Sequence, residues 1–387
     1  MLAAPHLEDH RLLHAAALMA FFGVGMYAAS FGPALPFLAS DLGVSLDTAG
    51  LLLTALFIGS ITASASVAIA LHGRDTRMLS LWGLAAAASG MALLAAAPGW
   101  PVALAGGVVL GAGDGLVVAA LHILMSRTSR DAPAAINRLN LFFAFGAMAG
   151  PVWAGVILAN TGERWPVFAG IAAFEALTLL VMLAAAAPEH TPIPAPDEPF
   201  RLPGNATSWT MGVVLFLYVG AEFGLGTWVS SYTRETAHAG VLAGALLTSG
   251  YWAALALGRI VSGIYFARGR EASLLLIASV AGAGVSSLAL AIVSGNIALS
   301  AAAVAGAGLC LGPIWPTTLA IASANAPGNV TAATVTLGNA GGLAIPWLQG
   351  KVLVGAGPRQ GVAVTAALCG LMFAITAAFR SRRRPAA

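Results

Sequence analysis

Several apolar runs longer than about 18 residues constrain this chain most strongly, because a run of that length spans a bilayer as an α-helix. The sequence is 59% hydrophobic and only 9% charged, whereas soluble domains are about 25% charged. This composition excludes a soluble globular protein. The first run begins near Leu12 and is too long for a signal-peptide core, so we expect it to be retained as a membrane span.

The apolar runs predict an all-α membrane protein with twelve transmembrane helices. The predicted spans are 12–38, 46–70, 77–97, 101–125, 135–159, 165–187, 208–233, 240–266, 272–294, 297–323, 329–354 and 359–380. The connection 188–207 holds six prolines and four charged residues, a composition typical of an extended linker that cannot bury itself. We therefore predict an N-terminal six-helix bundle (1–187), a cytoplasmic linker (188–207) and a C-terminal six-helix bundle (208–387).

Basic residues are distributed unequally between the two sets of loops. If the N-terminus is cytoplasmic, 13 of the 18 basic residues lie on that side, 4 lie on the other, and Arg259 lies within the eighth span. This bias predicts cytoplasmic termini and a multi-pass protein of the inner (plasma) membrane. The C-terminal arginines are typical of an anchor at the membrane surface, so we expect no nucleic-acid partner.

The two halves resemble each other at a nearly constant offset of 195 or 196 residues, which indicates an internal repeat. The matches are Gly111-Ala112-Gly113 with Gly306-Ala307-Gly308, Pro151 and Gly155 with Pro346 and Gly350, and Gly73-Arg74-Asp75 with Gly269-Arg270-Glu271. Six-span halves in the same orientation imply an axis along the membrane normal and a site between the halves near the midplane.

Five ionisable residues lie inside predicted spans: Asp114, His122, Glu175, Glu222 and Arg259. A charge at the centre of a membrane helix costs about 2.5–3.5 kcal/mol on insertion scales, so such residues usually mark functional sites. Glu222 and Asp114, one in each half, are candidate proton carriers. The alternatives are a neutral Glu222 satisfied by a neighbouring helix and an Asp114 that locks helices together. Glu175 is interpreted as structural, and Arg259 either pairs with an acid or helix end near the cytoplasmic side or binds an anion.

Aromatic and polar side chains near the predicted midplane are candidate substrate contacts. Tyr218 and Glu222 lie on one face of span seven. Tyr27, Trp252, Trp315 and Asn339 are the expected neighbours from other spans. Aromatic faces combined with amides and carboxylates are suited to sugars and similar polar solutes.

The twelve spans, the central linker and the charged turn Leu71–Arg77 resemble the major facilitator superfamily over the whole chain. The turn is a short, degenerate version of the signature Gly-x-x-x-Asp-Arg/Lys-x-Gly-Arg-Arg. The resemblance implies the major facilitator fold, in which two pseudo-symmetric bundles rock about a central cavity. Arg74 and Asp75 would then belong either to a gate latch or to an ordinary basic cytoplasmic turn.

A finer resemblance is to the fucose–proton-symporter-like group. It is carried by Tyr218–Glu222, by Asn140–Ala147 and by Gly341–Gly350, and it implies symport of a sugar or similar solute with protons. Asn140 is a further candidate substrate contact from these segments.

A second motif favours a different activity. Gly146-x-x-x-Gly150-Pro151-x-x-Ala154-Gly155 resembles the span-five motif of drug–proton antiporters, but those usually also carry an arginine in span four. No arginine or lysine occurs in residues 101–125. Gly150 and Pro151 also have a structural interpretation, because small residues let membrane helices cross closely.

The sequence contains no P-loop, no zinc-ligand spacing and no Gly-x-Ser-x-Gly, so we expect neither an enzyme nor a bound metal or cofactor. The prediction is a monomeric secondary active transporter in the lipid bilayer. It would move a small polar solute, sugar-like or organic, together with protons. The alternative is a proton-driven efflux antiporter for amphipathic compounds or drugs.

Overall fold

The computed structural model describes residues 10–186, 191–194, 205–293, 295–324 and 328–383, which form helices and no strand. The helices are α1 (Arg11–Asp41), α2 (Leu46–Ala49), α3 (Leu51–Ile69), α4 (Thr76–Ala96), α5 (Trp100–Thr128), α6 (Ala132–Thr161), α7 (Trp165–Ala184), α8 (Ala206–Thr236), α9 (Val241–Ala267), α10 (Ala272–Ile292), α11 (Ile297–Leu311), α12 (Ile314–Ser323), α13 (Gly328–Asn339), α14 (Gly341–Ala356) and α15 (Pro358–Arg383).

Eleven of the described elements are long and apolar enough to cross a membrane, with α2 joined to α3 and α11 joined to α12. The remaining crossing is divided at Ala340 into α13, of 12 residues, and α14, of 16 residues. Together they complete the twelve spans. The predicted all-α fold is confirmed, and the helix ends lie within a few residues of the predicted limits.

The two halves repeat each other in helix length as well as in sequence. α1 covers 11–41 and α8 covers 206–236, so both have 31 residues and both ends are offset by 195. Tyr27 and Glu222 therefore occupy the same position, the seventeenth, in equivalent helices. α4 and α10 match at an offset of 196. The helix boundaries agree with the predicted pseudo-symmetric arrangement of two bundles.

Contacts between the halves concentrate at the face where α1 ends, here called the distal face. The face where α1 begins is called the terminal face. Lys351 Nζ on α14 lies 3.5 Å from Asp47 Oδ2 on α2. Thr54 Oγ1 on α3 donates to the Leu343 carbonyl at 2.5 Å. α6 and α9 also pack together, and α5, α11 and α12 pack mainly within their own halves. The halves are thus closed against each other at the distal face.

The linker expectation is wrong for residues 191–194, which are fixed to the first bundle. Gly73 N donates to Ile193 O at 3.0 Å, and Ile193 N donates to Arg74 O at 2.8 Å. The Ile193 side chain is only 4% exposed and packs with Val67, Leu79 and Ala120. Backbone pairing and one apolar side chain stabilise this segment despite its prolines. The rest of the predicted linker, 188–190 and 195–204, lies outside the described residues, and the proposed domain limits remain a prediction.

The charged turn between α3 and α4 holds this segment. Asp75 caps α4 by accepting from Met78 N at 3.1 Å, and it also accepts from Thr191 N at 3.2 Å. Arg127 on α5 donates to the Pro192 carbonyl at 2.9 Å. The Asp75 side chain thus fixes the segment to the first bundle, whereas Arg74 takes part through its backbone carbonyl, and a gating role for either residue stays a prediction.

Candidate functional site

Glu222 lies at the middle of α8, a helix whose described residues are largely buried. Glycines on this helix let other helices approach its backbone. A Cβ added at Gly220 would lie 2.2 Å from Ile345, and one at Gly224 would lie 2.1 Å from Gln349 Oε1. α14 therefore packs directly on the α8 backbone, and Glu222 is held inside the protein, 4% exposed.

Arg259 on α9 forms an ion pair with Glu222. Its Nη2 atom donates to Glu222 Oε1 at 2.8 Å, and the side chains are 33% and 5% exposed respectively. Tyr251 on α9 donates its hydroxyl to the Glu222 carbonyl at 2.9 Å. Arg259 therefore pairs with an acid, as expected from the sequence, but its long side chain reaches the middle of α8 rather than a partner near the cytoplasmic side. A buried carboxylate needs such a partner.

Three possible donors on α8 and α9 have no described hydrogen-bond partner. One of them, Trp252, packs beside Gly226, one turn along α8 from Glu222. The Tyr218 hydroxyl, Trp252 Nε1 and Arg259 Nε are buried and unpartnered among the described residues. Tyr218 lies close enough to interact with both charges of the pair, but without the geometry of a hydrogen bond. Its ring lies 6.2 Å from that of Trp315. We call Tyr218, Glu222, Trp252, Arg259 and Trp315 the arginine site.

Asp114 forms a second polar centre, in the first half. It is the fifteenth residue of the 29-residue helix α5, midway along it. Tyr27 on α1 donates to Oδ1 at 2.8 Å, and Ser60 on α3 donates to Oδ2 at 2.7 Å. A Cβ at Gly115 would lie 2.3 Å from the Ser60 carbonyl, so glycine permits the close approach of α3 and α5. We call Asp114, Tyr27 and Ser60 the hydroxyl site, because both described partners of the acid are neutral.

Glu175 and His122 are the other two ionisable residues inside the spans of the first half. Glu175 lies close enough to the hydroxyl site to interact electrostatically with Asp114 and Tyr27, without a described hydrogen bond to either. Glu175 on α7 is 1% exposed, its Oε1 has no partner in the described chain, and it packs against Gly23 of α1. His122 Nδ1 lies 2.7 Å from the Val118 carbonyl of its own helix, and its ring contacts Phe21 edge-on. Neither side chain contacts a candidate proton carrier by a described hydrogen bond.

The remaining predicted residues are not joined to these sites by described contacts. Asn140 is exposed in the third turn of α6, and Asn339 is half-buried at the end of α13. Gly150 packs against α1, where an added Cβ would lie 2.2 Å from the Met26 carbonyl. Pro151 lies inside α6, which continues through it as one helix. The structure thus shows helix packing at Gly150, and roles in substrate binding for the two asparagines stay predictions.

Two contributors were missed by the sequence analysis, Tyr251 and Ser60. Tyr251 could have been considered because it precedes the candidate Trp252 on the same helix. Ser60 gives no sequence signal, because serine is common in membrane helices and only the packing of α3 on α5 places it beside Asp114. Among the described residues, no cluster of three or more His, Cys, Asp or Glu side chains could hold a metal ion.

Comparison with known proteins identifies the family. The model described as Major Facilitator Superfamily matches residues 15–346. The chain belongs to the Major Facilitator Superfamily. It is therefore a multi-pass membrane protein of a transporter family, not an enzyme. A yeast relative, "Bypass of stop codon protein 6" of Saccharomyces cerevisiae, is 28% identical over 188 residues. That match covers 46% of this chain and 37% of the yeast protein.

Solved structures of the superfamily show the same fold at low sequence identity. The E. coli fucose:proton symporter is 17% identical, covers 98% of this chain and 100% of its own, and has a TM-score of 0.66. A structure of that symporter in the outward conformation also gives 0.66. A bacterial homologue of the human lysosomal transporter Spinster, in an inward-facing and occupied conformation, is 12% identical. It covers 97% and 98% of the two chains, with a TM-score of 0.78.

Proposed function

We propose that this protein is a proton-coupled symporter that moves a small polar solute by alternating access. The observation that carries the proposal is the Glu222–Arg259 pair, held at the middle of a membrane helix in a chain of this superfamily. Burying such a pair costs desolvation energy, and ionisable residues inside membrane spans therefore usually mark functional sites. The protein works in the lipid bilayer as a monomer, with protons and a small solute as its partners.

The arrangement of the halves supports alternating access. The contacts at the distal face, including Lys351 with Asp47, close one end of the path. With the termini in the cytoplasm, as the 13-to-4 distribution of basic residues favours, this conformation faces inward. Rocking of the halves would open the distal face.

Glu222 is the proposed proton carrier and Asp114 the alternative. Both are mid-helix acids, one in each half, as a carrier near the midplane requires. Glu222 has a charged partner that a substrate can compete for, which links its protonation to substrate binding. The fucose:proton symporter, which has the same fold, adds support for proton coupling.

Efflux by antiport is the competing function. Its support was the glycine–proline motif of α6, and that motif has a structural explanation. Added Cβ atoms at Gly146 and Gly150 would lie 1.8 and 2.2 Å from α1 carbonyl oxygens. The glycines are therefore needed for helix packing whichever direction the solute moves.

Proton movement during solute uptake tests the proposal. We expect a transported solute, added outside energised cells or right-side-out vesicles, to alkalinise a weakly buffered medium, because protons enter with it. Cells carrying Glu222→Gln should show no alkalinisation and serve as the control. Acidification of the medium by the solute would instead show antiport and overturn symport.

Orientation is tested separately by cysteine labelling. Single cysteines at Pro194 and Arg382 should react with an impermeant maleimide only after the membrane is opened. The native Cys310 and Cys369 are half-buried and buried, so the unsubstituted protein gives the background. Labelling at either engineered position in intact cells would contradict cytoplasmic termini.

A further inference from the structure

The unsatisfied polar groups of the arginine site are all able to donate. Trp252 Nε1 and Arg259 Nε can only donate, and the Tyr218 hydroxyl can donate or accept. Tyr218 and Trp252 are 0% and 3% exposed, so bulk water does not satisfy them. The nearby unpartnered acceptor, Gln349 Oε1, faces Gly224 on a different side of α8 from Glu222 and its amide binds Thr365. These groups are suited to a ligand rich in hydrogen-bond acceptors.

Arg259 is the more exposed of the two charged residues in the site. A third of its side chain is exposed, whereas Glu222 is 5% exposed. A guanidinium binds a carboxylate through two parallel hydrogen bonds, and Arg259 now uses only Nη2 on Glu222. Its Nε is buried without a hydrogen-bond partner among the described residues, so displacement of Glu222 would let Nε and Nη2 bind one substrate carboxylate together.

We propose that the transported solute is a small organic acid whose carboxylate binds Arg259 in place of Glu222. This inference rests on the proposed function and names its substrate class. Trp252 Nε1 and the Tyr218 hydroxyl donate to the same ligand, and the Trp315 ring packs against its apolar part.

Charge balance links the bound acid to one proton. The empty site holds one carboxylate and one guanidinium and is neutral. Adding a substrate carboxylate leaves a net negative charge in the membrane unless Glu222 binds a proton from water. One anion and one proton then cross together, and no net charge moves. When the substrate leaves, Arg259 binds Glu222 again and the proton is released.

The groups that face Glu222 do not offer another carrier for this proton. They are Arg259 and Tyr251 on α9 and Tyr218 on α8, with the Cys369 thiol of α15 behind Tyr251. Arginine stays charged at physiological pH, and phenols and a thiol stay neutral there. Among these described neighbours, Glu222 is the group able to take up the proton.

Ligand binding to the purified full chain tests the substrate class. The probes are acetate, lactate, succinate, benzoate and a medium-chain fatty acid, each beside its neutral amide, together with glucose and fucose. Thermal unfolding is followed from pH 5 to 8, since a ligand of the native state raises its apparent stability. We expect at least one acid, and not its amide, to stabilise the protein. Its affinity should rise about tenfold per unit of acidification, as uptake of one proton requires.

Variants of the pair sharpen the test. Glu222→Gln should bind the same acid with an affinity that no longer depends on pH, because Arg259 is then free at every pH. The double variant Glu222→Gln with Arg259→Gln removes both charges, which protects folding, and should lose the acid. Glu271→Gln breaks an exposed Glu–Arg pair of the same half, Glu271 with Arg380 at 2.9 Å, and should change nothing.

The outcomes separate this inference from the proposed function. The carboxylate substrate is overturned if an amide or a sugar raises the unfolding temperature as much as every acid does. It is also overturned if none of the acids binds. If a neutral solute alkalinises the medium in that case, proton symport stands although the carboxylate substrate is wrong. An acid that binds Arg259 but is transported without protons would instead overturn the proposed proton coupling. Transport of the acid at a rate that depends on membrane potential would overturn the stoichiometry of one proton per anion.

Discussion

The arginine site and the hydroxyl site each contain a buried acid, but the acids have different kinds of partner. Glu222 is neutralised by a permanent cation, Arg259, whereas Asp114 accepts hydrogen bonds from the neutral hydroxyls of Tyr27 and Ser60. An ion pair can be exchanged for a ligand, because a substrate anion competes for the same guanidinium. A carboxylate held by two hydroxyls offers no such exchange. On the proposal made above, this difference would place substrate coupling in the second half and helix association, through α1, α3 and α5, in the first.

The largest effect is expected from Arg259→Ala, because it leaves Glu222 buried without its cation. Removing one partner of a buried pair costs about 3–5 kcal/mol. We expect a large loss of thermal stability in detergent, and no transport by the protein that does fold. Stability should recover in the double variant Glu222→Gln with Arg259→Gln. Wild-type stability in Arg259→Ala alone would show that the ion pair contributes little to the free energy of unfolding.

Tyr27→Phe comes next, because it removes a donor from Asp114. A hydrogen bond to a charged group contributes about 1.5–3 kcal/mol, and its loss should lower the unfolding temperature. Solute binding should keep its pH dependence, since the arginine site is untouched. A flattened pH dependence with unchanged stability would reverse the roles assigned to the two sites.

Tyr218→Phe is the matched substitution in the second half, with the smallest expected effect on stability. The hydroxyl that it removes forms no hydrogen bond in the described chain, so unfolding should shift by less than about 0.5 kcal/mol. Binding of the solute should weaken by a few-fold, because one donor is lost. Equal destabilisation by Tyr27→Phe and Tyr218→Phe would remove the distinction between the sites.

The fold could be predicted from the sequence because the length of an apolar run and the charge of a loop are properties of whole helices and loops, not of single side-chain contacts. They predicted the twelve spans, and the repeat already paired Tyr27 with Glu222. They also singled out Glu222, Asp114 and Arg259 as ionisable residues in apolar spans. Such residues are rare enough in membranes for their positions to be informative without coordinates.

The pairing of these residues could not be predicted, because it depends on side-chain reach and on packing between helices. Arg259 lies 37 positions from Glu222, and Ser60 lies 54 positions from Asp114. Their contacts arise where α8 meets α9 and where α3 meets α5. The burial of Ile193 was missed for a similar reason, since a proline-rich composition does not reveal backbone pairing with the α3–α4 turn.

Accumulation driven by a pH gradient, measured side by side for Glu222→Gln and Asp114→Asn in proteoliposomes, tests the central claim most directly. Both substitutions keep the shape of the side chain and remove its titration. We expect Glu222→Gln to exchange solute across the membrane but to lose accumulation, and Asp114→Asn to keep accumulation within about threefold of wild type, the cost of one weakened hydrogen bond. Wild-type accumulation in Glu222→Gln, with none in Asp114→Asn, would contradict the account and make Asp114 the proton carrier.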